Sequence, residues 1–153
     1  MELRTVGYGH PDAVAMVAAV QEVYLLRYGG YDSTPVDAAE FAAPAGLFVI
    51  GYLGGGPVVC GGWRMRTEPE DVPGAEPEAD AVGVGDAELK RMYVVDAARG
   101  RGFARGLLAE LERTAVEAGA RRMVLETGVA QPEAIQLYLS SGYLPIPKFG
   151  VYR

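Results

Sequence analysis

The chain has 153 residues, half of them hydrophobic, with 20 acidic against 14 basic side chains, a formal charge of -6 and a pI near 4.8. That length suits one domain, residues 1–153, with a real core, and the acidic balance leaves no electrostatic footprint for nucleic acid. Cys60 is the only cysteine and His10 the only histidine, which excludes an intrachain disulfide and a cysteine-built metal site; no metal and a cytoplasmic location are expected. The N-terminal MELRTVGYGHPD lacks a signal-peptide core and no apolar run is long enough to span a bilayer, so no membrane association is expected either.

Leu3 to Val6 predict a short strand, ended by the turn-formers of GYGHPD. Pro11 suits a first helical position, and Ala13, Met16, Val17, Val20, Val23 and Tyr24 recur at helical spacing to about Tyr28, where Gly29 and Gly30 stop the helix. STPVDAAEF predicts a short second helix with Thr34 as cap, Pro35 as first helical residue and Asp37 in the first turn. LFVIGYL and PVVCGGWRMR, rich in β-branched and aromatic residues and separated by GGG, predict two antiparallel strands and a hairpin. Within the second, Cys60 reads as a small buried apolar residue, since no histidine or cationic cluster adjoins it to make a thiolate, and Trp63 reads as packing.

Residues 67–85 have no periodicity and are full of Pro, Gly and acid, which predicts a long mobile loop. Glu68, Glu70, Asp71, Glu76, Glu78 and Asp80 account for the whole excess of acids over bases; they read as a solvated loop or, alternatively, as a negative fringe that draws in cationic substrates. In the strand that follows, Leu89 and Met92 are both apolar but three apart, with Lys90 and Arg91 between them. One extra residue there would restore the period of two, which is what a β-bulge supplies. Ala104, Leu107, Leu108, Leu111, Ala115 and Ala118 then mark a helical stripe ended by Gly119. RRMVLETG predicts a strand, Pro132 opens a last helix closed by Gly142, and GYLPIPKFGVYR reads as irregular β structure. The mixed order fits an α/β or α+β domain.

The stretch ELKRMYVVDAARGRGFARGLL holds the chemistry. Arg99, Arg101 and Arg105 surround a helix start near Gly102, where the macrodipole is already positive and cations are disfavoured. A short glycine-containing loop between strand and helix exposes N–H groups suited to phosphate oxygens, so a pyrophosphate-bearing ligand is implied. GRGFAR puts Arg105 where a dinucleotide fingerprint wants its third glycine, and the terminal glycine, lysine and hydroxyl of a P-loop are missing.

Arg99-Gly-Arg-Gly102-Phe-Ala104 resembles the Gln/Arg-x-x-Gly-x-Gly/Ala loop of the GCN5-related N-acetyltransferase superfamily, and ETGVAQPEAIQLYLSSGY resembles that family's later strand-helix motif. The resemblance implies a GNAT acyl-CoA N-acyltransferase fold, a central mixed but mostly antiparallel sheet flanked by helices. It implies acetyl-CoA as co-substrate, with Arg101, Gly102, Phe103, Ala104 and Arg105 supplying N–H groups to the phosphates while Arg99 and Gly100 shape the loop. Met92, Tyr93 and Val94 would meet pantetheine and the acetyl group, and the Met92 N–H could hold the acetyl carbonyl. Gln131 stands where many members carry Asn, and a contact to pantetheine is expected there.

Acetyl transfer to an amine needs removal of its proton, a polarised carbonyl and a proton donor for the leaving thiolate. By the resemblance, Glu88 matches the glutamate base of several members and Tyr138 the tyrosine near the coenzyme sulfur; a strand-edge carboxylate and a packed helix tyrosine are the plain alternatives. Glu126 is a reserve carboxylate. Tyr24, Tyr28, Tyr31, Asp32, Phe149 and Tyr152 are candidates for the acceptor site, or for core or dimer contacts. The expected reaction is N-acetylation of a primary amine of a small molecule or peptide by direct attack in a ternary complex, since no suitable nucleophilic cysteine is visible. The alternative is a non-catalytic acyl-CoA-binding sensor. Relatives commonly dimerise, so a homodimer is admitted, although no residue pattern marks an interface.

Overall fold

Two runs rich in β-branched and aromatic residues, buried on both faces, form the middle of the sheet in the computed structural model, which describes residues 1–30, 37–67, 82–127 and 131–146. Its strands are β1 (Glu2–Thr5), β2 (Gly46–Leu53), β3 (Gly56–Met65), β4 (Asp86–Val94) and β5 (Arg122–Val124). They lie in the order β1-β2-β3-β4-β5, antiparallel except for the parallel pair β4 and β5. Gly54 and Gly55, at φ 60° and 83°, form the tight turn between β2 and β3, which needs positive φ at both positions.

Neighbouring side chains on β2 enter different cores. Phe48 and Ile50 pack with Ala13 and Met16 of α1 (Pro11–Tyr28) and with Phe41, whereas Val49 packs with Trp63, Leu107, Leu108, Leu111 and Ala115, most of them from α2 (Phe103–Glu117). The sheet is thus sandwiched, with α3 (Pro132–Ser140) adding Tyr138 to the second core. Polar ties fix both layers: Tyr52 Oη donates to Asp12 Oδ2 at 2.6 Å, and Trp63 Nε1 donates to Thr114 Oγ1 at 2.9 Å. Cys60 and Trp63 are buried, as their packing roles require.

The helix ends follow their capping chemistry. His10 Nδ1 accepts the Asp12 N–H at the start of α1, and Gly29, at φ 76°, closes it through its N–H to Leu25 O. Within the described part of the predicted second helix there is a 3-10 turn, Ala38–Phe41, and Asp37 caps it reciprocally with Glu40 instead of sitting in its first turn. Ala42 is already extended, and Ala43 precedes Pro44, a position that disfavours helix. Thr34 and Pro35 lie outside the described residues, as does residues 68–81 of the predicted mobile loop. Ala118 is exposed because α2 stops at Glu117, and residues 143–146 form no strand. Among the described residues no helix is long and apolar enough to cross a membrane.

Where β4 begins, the fully buried Asp86 receives Arg121 Nε at 2.8 Å, Arg122 Nε at 3.0 Å and the Gly83 N–H at 2.9 Å. Burial pushes its pKa up, but hydrogen bonds from Arg122, Gly83 and Arg121 outweigh that and hold it below the usual carboxylate range. A carboxylate with a lowered folded pKa contributes stability that is complete above its unfolded pKa and is lost as pH falls through the folded value. Asp86→Asn should therefore lower stability by about 3 kcal/mol at pH 7. In denaturant titrations repeated at falling pH, the gap to wild type should close only in acid below the ordinary carboxylate range.

Candidate active site

Only three positions of β5 pair with β4, Asp86 with Arg122, Ala87 with Met123 and Glu88 with Val124. Beyond them β4 runs on to Val94 while the chain leaves β5 at Leu125, so the two strands part and a cleft opens between them. Its walls are Leu89 to Val94, the turn around Gly100 and Gly102, Leu125 to Thr127, α3, and Val20, Tyr24 and Tyr28 of α1.

The broken alternation of β4 is a bulge. Cys60 pairs with Tyr93 and Gly62 with Lys90, so Gly61 alone faces two residues, Arg91 and Met92. Arg91 takes φ 60°, a left-handed conformation that costs a non-glycine residue about 1–2 kcal/mol, and it is buried. Leu89 and Met92 consequently share the α2 side of the sheet. Room for Met92 comes from Gly61, where a Cβ would collide with the methionine sulfur and approach Leu111 Cδ1 to 3.3 Å.

At the far end of the cleft, a 3-10 turn, Asp96–Ala98, leads into Arg99-Gly-Arg-Gly102. Gly100 and Gly102 have φ 75° and 80°, with open space where a Cβ would stand. Gly102 is the N-cap of α2, has no side chain to cap it, and no acid lies in the first turn. The leading N–H groups of α2, which have no intrahelical acceptor, therefore meet the positive end of the dipole at an open surface. The arginines divide their work. Arg99 pairs with Asp96 at 3.2 Å, Arg101 lies over the Phe103 ring at 5.0 Å, and Arg105 donates to Ser140 and Ser141. This donor set fits a pyrophosphate: amides with space before them, no acid in the first turn of α2, and three guanidinium groups around it.

Glu88 lies at the other end, buried, with Oε1 accepting Arg64 Nε at 2.7 Å and Oε2 3.8 Å from Arg66 Nη1. Arg64 also reaches Glu40 at 3.3 Å, so the carboxylate belongs to a buried ionic network. Tyr138 is 8% exposed and lines the cleft; burial, with a smaller contribution from Tyr24, pushes its phenol above the usual tyrosine range. Tyr28 Oη donates to Gln131 Oε1 at 3.2 Å, and Arg27 bridges to Glu133, so the end of α1 meets the start of α3 across the cleft. Glu126 is an exposed member of the cleft wall. Tyr31, Asp32, Phe149 and Tyr152 lie outside the described residues. Cys60 donates its S–H to Arg91 O at 3.3 Å and its pKa is pushed up to about 12 by burial, which suits packing and not nucleophilic attack.

The contacts of several site residues gave no signal in the sequence. Arg64 could be recognised as the partner of Glu88 only through the register that sets the two opposite each other. Ser140, Ser141 and Tyr143 acquire partners on α2 only through the tertiary fold. Gly61 did carry a readable signal, a glycine inside a strand pattern, which often marks close backbone or side-chain approach.

The family model described as the acetyltransferase (GNAT) family matches residues 17–143. An IAA acetyltransferase of Azospirillum brasilense is 33% identical over 142 residues, covering 92% of this chain and 83% of the relative. A Klebsiella pneumoniae structure assigned as an acyl-CoA N-acyltransferase superposes with a TM-score of 0.74 at 23% identity, covering 99% of this chain and 88% of the other. The aminoglycoside N-acetyltransferase AAC(6')-Iy, solved with CoA, superposes with a TM-score of 0.65 at 18% identity, covering 99% and 98%.

A carboxylate placed at the open N-cap would oppose an anion without disturbing packing. Gly102→Glu should weaken coenzyme A binding by roughly tenfold or more in a calorimetric titration, with thermal stability lowered only slightly.

Proposed function

The chain belongs to the acetyltransferase (GNAT) family, and on that premise we propose that it moves an acetyl group from acetyl-CoA to a primary amine of a small molecule or peptide, by direct attack in a ternary complex. The observation that carries this reading is one continuous cleft, with the open start of α2 at one end and the bulge of β4 beside it. The N–H groups from Arg101 to Arg105 are suited to the pyrophosphate, with Arg99 and Gly100 shaping the turn. Met92, Tyr93 and Val94 are suited to line the pantetheine arm, with Gln131 opposite and steadied by Tyr28. The lone buried thiol and the acidic overall charge are compatible with a cytoplasmic enzyme.

The chemistry needs one proton removed and one supplied around the reacting carbonyl. An alkylammonium with a pKa of about 10.4 is deprotonated in only about one molecule in 2,500 at pH 7, so a proton acceptor accelerates attack. Glu88 fills that role in this proposal. Because it is 4% exposed and engaged by Arg64, it is better placed to act through an intervening water than by direct contact. The Met92 N–H would polarise the acetyl carbonyl as the amine nitrogen bonds to its carbon. As the carbon–sulfur bond breaks, Tyr138 would donate its phenolic proton to the departing thiolate, and its raised pKa keeps that proton in place through the working pH range. The acceptor site would draw on Tyr24, Tyr28 and Glu126.

Release of free thiol from acetyl-CoA across amino acids, polyamines, aminoglycosides and N-terminal peptides should identify an acceptor. With that acceptor, Tyr138→Phe should lower kcat by roughly a hundredfold with coenzyme affinity nearly intact; an unchanged kcat removes the acid role. Wild-type kcat should show no phenol-controlled decline below pH 10, the ordinary tyrosine value, because the folded pKa lies above it.

A further inference from the structure

We propose that Arg105 is a positioning residue whose guanidinium ties the first turn of α2 to the end of α3 and thereby sets the placement of Tyr138. This rests on the acetyltransferase reading above, in which Tyr138 donates the proton to sulfur. Arg105 Nη2 donates to Ser140 Oγ at 2.8 Å and its Nη1 donates to Ser141 Oγ at 3.0 Å. A guanidinium has only donors, so both hydroxyls must accept. Their own protons are already committed, since Ser140 Oγ and Ser141 Oγ donate to Leu137 O at 3.0 and 2.7 Å. The polarity therefore runs one way, from arginine through two hydroxyls into the last turn of the helix.

A second tie acts further along. Tyr143 Oη donates to Glu112 Oε2 at 3.1 Å, and the Tyr143 ring lies 5.7 Å from that of Tyr138. Glu112 is seven residues beyond Arg105, about 10 Å along the axis of α2. Both attachments lie at or just past the C-terminus of α3, so together they fix that end of the helix along α2. Of the two, the Arg105 tie originates within the turn whose amides face the coenzyme phosphates, so the same turn that would receive the phosphates also orients the acid. On this account the guanidinium of Arg105 serves α3, and its backbone N–H serves the ligand.

The competing role, a side-chain contact to phosphate, is separable. Arg105→Gln, the pair Ser140→Ala with Ser141→Ala, and the triple variant are compared in two measurements. In hydrogen exchange without any substrate, the single variant and the serine pair should each speed exchange of the α3 amides at least about tenfold and leave those of Leu107 to Leu111 unchanged. In steady-state kinetics, both should lower kcat by about tenfold while KM for acetyl-CoA stays within about twofold, and the triple variant should lose no more than either alone. Unchanged α3 exchange overturns the proposal, as does an unchanged kcat, an additive triple variant, or a raised KM for acetyl-CoA in Arg105→Gln alone. Failure of the wild type to acetylate any acceptor would remove the functional reading, while the exchange measurement would still decide whether the tie exists.

Discussion

Asp86 gathers two arginines and a backbone amide at the point where β4 and β5 first lie side by side. The ladder ends two residue pairs later and the strands separate, so this buried carboxylate acts as the fulcrum of the cleft. The arrangement resolves a conflict inherent in sheets. A parallel pair with full-length pairing would fill its own hydrogen-bonding groups and leave no gap, whereas a pair with no fixed origin would drift in register. A short, strongly anchored ladder gives a defined register at one end and an opening at the other.

The bulge depends on glycine on the facing strand. Arg91 sits in a left-handed conformation, and Met92 occupies volume that any side chain at position 61 would claim. The next residue, Gly62, is constrained from the other face, where a Cβ would stand 2.6 Å from Leu47 O and 2.9 Å from Phe41 Cδ1. Successive glycines thus thin β3 toward both helical layers at the level of the bulge. Local strain is held in place by packing on either side, a pattern that accompanies functional sites.

Much of this was legible before folding. The helix from Pro11 to Tyr28, the GGG hairpin and the bulge near Lys90 and Arg91 follow from capping, turn and alternation rules that act over a few residues. The open, cation-rich start of α2 was legible because arginines gather where the helix dipole disfavours them. What the guanidinium groups do was not, since Arg105 turns to two serines 35 and 36 residues away. Glu88 was visible as a carboxylate on a bulged strand, yet its burial against Arg64 is a property of cross-strand register. Of the second helix, the start signal at Thr34-Pro35 lies outside the described residues, and within them Asp37 caps a single 3-10 turn that is already extended again at Ala42.

Trp63, the sole tryptophan, is 2% exposed with its indole N–H on Thr114 of α2, on the sheet face away from α1. Its emission consequently reports the docking of α2 on the sheet, a global event. The nine tyrosines are distributed otherwise, and Tyr24, Tyr28, Tyr93, Tyr138 and Tyr143 line the cleft. The chain therefore carries, without any introduced label, an indole that reports cooperative unfolding from a position apart from the phenols of the cleft.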